Sequence, residues 1–191
     1  MNREEWLGSL LEALRPTFAA ADKALPERIR VSCGWPSSRA LSKKQRRIGE
    51  CWSVRASDDG THEILVSPSL ADPAEIAHVL VHELCHAACG TDCGHKGEFV
   101  RLARKLGLEG KPTATVAGKD LADRLNALTG KLPAYPHARL DAAHRPVKKQ
   151  GTRMLKVECG SCGYVVRVAR KWLDEGMPTC HCGNGEMEVA S

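Results

Sequence analysis

The chain has 191 residues, a formal charge of +5, 42% hydrophobic and 4% aromatic residues, and nine cysteines. That length suits one medium domain plus a small module, with enough aliphatic side chains for a sizeable core. No apolar run approaches the ~20 residues needed to span a bilayer, and no apolar signal segment opens the chain, so membrane spanning and export are set aside. An intracellular, reducing, cytoplasmic setting is expected, with the nucleoid as one location inside it. An odd cysteine total fits free or metal-bound thiols better than a disulfide framework.

In chain order, Asn2 to Leu14 reads as an amphipathic helix with Trp6, Leu7, Leu10, Leu11 and Leu14 inward, ending before Pro16. A second short helix is expected from Thr17 to Lys23. Strands follow at Arg28–Cys33, Ile48–Val54 and Glu63–Ser67, with Asp58-Asp59-Gly60 as the turn between the last two. A helix starts at Asp72-Pro73-Ala74-Glu75, with Asp72 as N-cap, Pro73 at the first helical position and Glu75 closing a capping box. Ile76, Leu80, Leu84 and Ala87 form its buried stripe, and Gly90 ends it as a left-handed cap. The next helix runs from Glu98 to Leu106. Residues 111–150 connect, with a helix from Lys119 to Leu128 and an extended stretch around Pro133 and Pro136. The fold class is α+β: a small sheet with the 72–90 helix packed on it, as in zincins, then a small zinc ribbon. The expected division is 1–143 for the larger domain, 144–152 for a basic linker and 153–191 for the ribbon.

The informative stretch is His82-Glu83-Leu84-Cys85-His86. Residues four apart on a helix lie one above the other, so the two histidines share a face at the edge of the core. Two neutral imidazoles there can hold Zn²⁺ and leave room for a third ligand and a water. Glu83 is placed to take a proton from that water, which is the H-E-x-x-H arrangement of zinc metallopeptidases. For the third ligand, Asp92, His95 and Glu98 all follow the helix. His95 is preferred, because Gly94 and Gly97 allow a tight return of the chain. Asp92 fits less well because Gly90 falls one residue late for the H-E-x-x-H-x-x-G-x-x-D turn, and Glu98 starts the next helix. His78, four residues before His82, reads as a surface or packing histidine.

Cys159-Gly160-Ser161-Cys162-Gly163 and Cys180-His181-Cys182-Gly183 are two short cysteine pairs on glycine turns. A strand-like segment, Tyr164 to Arg170, lies between them. The pattern matches a structural four-thiolate zinc site at Cys159, Cys162, Cys180 and Cys182. His181 is an alternative donor, disfavoured because adjacent ligands strain a knuckle. Cys85 and Cys89 are expected to be free core thiols.

Val81 to Ala87 together with Gly94-His95-Lys96-Gly97-Glu98-Phe99 resembles the SprT-like family of zinc metallopeptidases, to which the DNA-dependent protease Spartan belongs. A cysteine-rich ribbon after the catalytic domain is a second shared feature. The resemblance implies His82, His86 and His95 as ligands of a catalytic zinc, Glu83 as the catalytic base, and a second, structural zinc in the ribbon. Lys96 departs from the family pattern, in which His is commonly followed directly by Gly.

Arg39, Lys43, Lys44, Arg46 and Arg47 form a cluster without an acidic residue between two expected strands. A second set comprises Arg145, Lys148, Lys149, Arg153 and Lys156, with Arg167, Arg170 and Lys171 on the ribbon. Such density neutralises phosphates without sequence preference, and Trp172 and Tyr164 can stack on bases. A solvated charged loop explains the same residues equally well, and the family resemblance favours DNA. The expected function is therefore a zinc metalloendopeptidase acting on proteins, DNA-associated ones in particular. The rival is a nucleic-acid-binding or transcription-associated zinc protein without peptidase activity, against which Glu83 is the discriminating residue.

Overall fold

The computed structural model describes residues 1–42, 44–144, 154–183 and 187–190. The chain forms two compact units, Met1–His144 and Arg145–Ser191. Among the described residues no helix is long and apolar enough to cross a membrane.

The first unit opens with α1 (Arg3–Ala20). A reciprocal capping box starts it: Asn2 Oδ1 accepts from the Glu5 N–H, and Glu5 Oε2 accepts from the Asn2 N–H, both at 2.8 Å. Trp6, Leu7, Leu10, Leu11 and Leu14 are buried, as their spacing predicts. The expected stop before Pro16 does not occur. The helix continues through Pro16 and takes in most of the second helix expected at 17–23. Phe18, fully buried, accounts for this: burying such a side chain stabilises by about 1.5–3 kcal/mol, comparable with the roughly 3 kcal/mol cost of an interior proline.

Three strands form the central sheet: β1 (Ile29–Cys33), β2 (Gly49–Cys51) and β3 (His62–Val66), in the order β1-β3-β2. β1 runs parallel to β3 with Val31 opposite Ile64, and β2 runs antiparallel with Cys51 opposite Ile64. β2 is much shorter than its expected span. A 3-10 turn at Val54–Ala56 takes over its end, and Asp59 then caps the return by accepting from Ser57 Oγ and the Thr61 N–H. β2 is an edge strand. The Trp52 N–H donates to the Glu63 carbonyl and Ser67 donates to that of Ile48, so by alternation Gly49 and Cys51 turn their backbone groups to the open edge.

The sheet carries α2 (Pro73–Cys89), whose Ile76, Val79, Leu80, Leu84 and Ala87 join Val31, Ile64, Val66 and the α1 stripe in one core. Asp72 caps α2, its carboxylate accepting from the Glu75 N–H at 2.8 Å. At the other end Gly90 has φ +82° and ψ 141°, a glycine conformation but not the left-handed cap expected. α3 (Glu98–Leu106) matches its expected bounds and stops at Gly107, which is left-handed at φ +99°. A hairpin not foreseen from sequence follows, β4 (Leu108–Lys111) and β5 (Ala114–Ala117), and then α4 (Lys119–Thr129). The extended stretch beyond α4 returns to α1: the Trp6 indole N–H donates to the Pro133 carbonyl at 2.8 Å, and Tyr135 meets the Trp6 ring edge-on.

The second unit is an antiparallel sheet of β6 (Met154–Cys159), β7 (Val165–Ala169) and β8 (Met187–Val189), in the order β7-β6-β8, with a short helix α5 (Arg170–Glu175). Among the described residues its core clusters Val157, Cys159, Cys180 and Met187, with Ala169 also buried. So few apolar groups rarely hold a domain of this size, which needs a metal or covalent staple.

Candidate metal centre

α2 sets His82 and His86 one turn apart, and the chain beyond Gly90 folds back through a 3-10 turn, Thr91–Cys93. Gly94 (φ +53°) and Gly97 (φ +52°) make that return, in conformations an L side chain rarely adopts. They deliver His95 so that its Nε2 lies 3.1 Å from Nε2 of His82 and 3.2 Å from Nε2 of His86. Phe99, fully buried, is the common floor: it stacks on His86 at 4.4 Å and meets His82 and His95 at 5.1 and 4.9 Å.

These spacings fit a metal. Zinc with Zn–N distances of roughly 2.0–2.1 Å in a tetrahedral site separates its nitrogen ligands by about 3.3–3.4 Å. Burial, followed by the charge of neighbouring histidines, holds His82 down to about 3. Burial and then His95 hold His86 down to about 4, and burial also lowers His95. All three imidazoles are neutral near pH 7, the form that ligates. Among the described residues the donors that could hold one ion here are His82, His86 and His95. Asp92 is exposed and faces Arg55 at 3.7 Å, while Glu98 pairs with Lys23 at 2.6 Å, so neither joins the group.

Glu83 leaves α2 on the face next to that of His82 and His86, towards the edge strand. It is 7% exposed, and burial pushes its carboxyl up to about 8, with Arg47 opposing and Glu50 adding to the rise. The backbone of Cys51 also works against the rise. Gly49 makes the space: a Cβ there would lie 2.5 Å from Glu83 Oε1 and 2.7 Å from Val79 Cγ1. Two further contacts escape sequence reading. His82 Nδ1 lies 2.8 Å from Thr115 Oγ1 on β5, and His78 Nε2 lies 2.7 Å from the Thr115 carbonyl oxygen. His78 is thus engaged with a strand rather than idle on the surface. Of the local signals, only the i, i+4 relation of His78 to His82 hinted at it. Tyr135, packed on Trp6, belongs to the α1 side.

In the ribbon, Cys159 and Cys182 Sγ lie 3.8 Å apart, and Cys162 and Cys180 Sγ 3.4 Å apart. All four sulfurs form one group, at separations far beyond the ~2.05 Å of a disulfide. Zn–S bonds of roughly 2.3 Å would place tetrahedral sulfurs about 3.8 Å apart, so this group also fits zinc. Gly163 (φ +72°) and Gly183 (φ +70°) close the two knuckles. The backbone N–H groups of Cys162 and Ser161 draw the Cys159 thiol down to about 7, towards the thiolate that ligates. His181 is not one of the group, although its Nδ1 lies 3.8 Å from Cys180 Sγ; its ring is edge-on to Tyr164 at 4.9 Å.

Of the basic residues, Arg39, Lys44, Arg46 and Arg47 are exposed in the loop between β1 and β2, with Arg47 paired to Glu50 at 2.6 Å. Lys43, Arg145, Lys148, Lys149 and Arg153, with most of the 144–152 linker, lie outside the described residues. On the ribbon, Arg167, Arg170 and Lys171 are exposed, Lys156 pairs with Glu158, and Lys171 Nζ sits 4.4 Å over the exposed Trp172 ring.

Comparison with curated proteins and with solved structures returns no match. The match to a family model is extensive: it runs from the end of α1 through the sheet, α2, α3 and the 108–117 hairpin, and leaves the ribbon outside. Covering residues 14–117, more than half of the chain, it places this protein in the SprT-like family.

Proposed function

We propose that this chain is a zinc-dependent metalloendopeptidase that cleaves proteins, in particular proteins associated with DNA. The observation that carries the reading is the convergence of the three imidazole Nε2 atoms, with a buried carboxyl, Glu83, one residue from His82 on the same helix. His82, His86 and His95 would hold a catalytic zinc. When bound, zinc supplies Lewis acidity, polarising a scissile carbonyl and lowering the pKa of water. Glu83 is the general base: it takes the proton from the attacking water and passes it to the leaving amine. A dication near Glu83 favours its carboxylate form, offsetting the upward push of burial.

A peptide substrate suits the open edge of β2, where the Gly49 backbone and the Cys51 carbonyl face outward next to Glu83 and an extended chain can add as a further strand. Cys159, Cys162, Cys180 and Cys182 would hold a structural zinc that staples the ribbon. Exposed Arg39, Lys44, Arg46, Arg167, Arg170 and Lys171, with Trp172 and Tyr164, supply charge and stacking faces for single-stranded or non-specifically bound DNA. A catalytic domain at 1–143, a linker at 144–152 and a ribbon at 153–191, working in the cytoplasm or at the nucleoid, complete the proposal.

The rival, a DNA-binding or transcription-associated zinc protein without peptidase activity, draws on the ribbon's exposed aromatic and basic residues. It gives Glu83 no task, although burying an ionisable carboxyl costs stability. The test is a cleavage time course on a DNA-binding protein, with and without single-stranded DNA, comparing wild type with Glu83→Gln at matched zinc content. Cleavage by wild type alone, faster with DNA, is the expected result. Equal activity in the two proteins removes Glu83 from its role, and inactivity of both across a panel of DNA-binding substrates favours the rival.

A further inference from the structure

Thr115 touches two histidines of α2 through two different atoms. Its carbonyl oxygen lies 2.7 Å from Nε2 of His78, and its hydroxyl lies 2.8 Å from Nδ1 of His82. A carbonyl only accepts, so the proton in the first bond sits on His78 Nε2, and that bond fastens β5 to α2. A hydroxyl can donate or accept, so the second bond has two directions. Only one of them suits a metal. If Thr115 donates, His82 carries its proton on Nε2, where the lone pair is needed. If Thr115 accepts, the proton sits on Nδ1 and the Nε2 lone pair faces His95.

The other histidine of the motif is held differently. His86 Nδ1 is buried without a hydrogen-bond partner among the described residues, and its ring is fixed by stacking on Phe99. Stacking sets a ring plane but selects no tautomer. Alternation along β5 leaves Ala114 and Val116 exposed and turns Thr115 and Ala117 inward. The hairpin pairing of Thr115 with Gly110 holds the strand in that register.

We propose that Thr115 is a positioning residue of the histidine group: its hydroxyl accepts from His82 Nδ1–H and so selects the metal-binding tautomer and ring plane, while His78 holds the strand that carries it in place. This rests on the reading of His82, His86 and His95 as a zinc site. Hydrogen-bond partners of this kind are generally worth about 10- to 100-fold in metal affinity.

The test is a chelator competition on the full chain, with His86→Ala identifying which zinc belongs to the histidine group. Thr115→Val, which keeps the shape and loses the hydroxyl, is expected to weaken that zinc about 10- to 100-fold and leave the ribbon zinc unchanged. Thr115→Ser is expected to restore affinity to within about threefold, which a purely steric role for the strand would not give. A measurement free of any variant accompanies these: nitrogen-15 NMR of the wild type with the histidine site emptied is expected to find His82 protonated on Nδ1. Wild-type affinity in Thr115→Val, or His82 protonated on Nε2, overturns the positioning role and leaves the zinc reading intact. Retention of both zincs by His86→Ala overturns the zinc reading itself.

Discussion

Gly49 lies against Glu83: a Cβ on Gly49 would stand 2.5 Å from Glu83 Oε1 and 2.9 Å from its Cγ. Gly49 is needed for space rather than backbone freedom, since its φ lies outside the positive range that favours glycine. The short edge strand therefore dictates where the buried carboxyl of the H-E-x-x-H helix sits. Val79 crowds the same point, its Cγ1 lying 2.7 Å from that Cβ, so a side chain at 49 would press on both.

Gly49→Ala is accordingly expected to displace Glu83 while the chain still folds. Overpacking of this kind costs about 1–3 kcal/mol, which urea denaturation would register. Cleavage should fall by at least tenfold with zinc content unchanged, because His82 and His86 leave α2 on another face. Full activity in a stably folded Gly49→Ala protein would mean that the carboxyl position tolerates displacement and is not the base position.

Burial of Glu83 also predicts a pH dependence. Its folded carboxyl is raised to about 8 from an ordinary value of 4.5, so in the metal-free protein the folded state binds the extra proton between those values. Stability from this group is therefore present at low pH and is lost as pH rises through that window. His82 and His86, lowered to about 3 and about 4, act in the opposite sense, losing stability as pH falls below 6.5. Above pH 6.5 the contribution of His82, His86 and His95 fades, and comparison with Glu83→Gln, which keeps all three, cancels what remains. With the histidine site emptied, wild type should lose about 2 kcal/mol between pH 6.5 and 8 relative to Glu83→Gln, measured by chemical denaturation. Parallel curves for the two proteins would contradict it.

The parts of this arrangement that were readable beforehand are those with local causes. Asp72, Pro73 and the stripe of Ile76, Leu80 and Leu84 mark α2 within a few residues, because capping and helical periodicity act over one or two turns. The glycines around His95 announce the turn that brings it to the other two histidines. What stayed hidden is non-local or weakly patterned. Pro16 is a strong local stop, and only the burial of Phe18 in a core assembled from distant strands carries α1 past it. Leu108–Lys111 and Ala114–Ala117 are four-residue strands with little apolar alternation, so their hairpin, and with it Thr115, left no trace in composition. Gly49 against Glu83 is likewise a contact between a strand and a helix that no spacing rule reaches.

The ribbon's small core makes its fold depend on the four thiolates. Among the described residues its buried apolar side chains are Val157, Ala169 and Met187 besides Cys159 and Cys180, too few to offset the entropy of ordering the segment. Cys162→Ala, at an exposed ligand whose loss opens no core cavity, should unfold β6, β7 and β8 while the helices of the first unit persist. Amide NMR would show ribbon resonances collapsing to the centre of the spectrum, with zinc content falling by one per chain. A folded ribbon without its zinc would assign its stability to packing instead.

Exposed Arg39, Lys44 and Arg46 lie on the loop that leads into β2, the strand that lines Glu83. If this loop holds single-stranded DNA, each contact releases counterions, and the affinity falls with salt by about 0.7 in log–log slope per phosphate contacted. The triple variant Arg39→Ala, Lys44→Ala, Arg46→Ala should therefore lower that slope by about 2 and weaken binding at low salt, as fluorescence anisotropy would read. Arg47 is left in place because its pairing with Glu50 ties it to the strand. An unchanged slope would move the DNA contacts off this loop and onto the ribbon, where Lys171→Ala and Trp172→Ala provide the matching test: loss of the stacked ring should weaken binding at every salt concentration, whereas loss of the charge should weaken it chiefly at low salt.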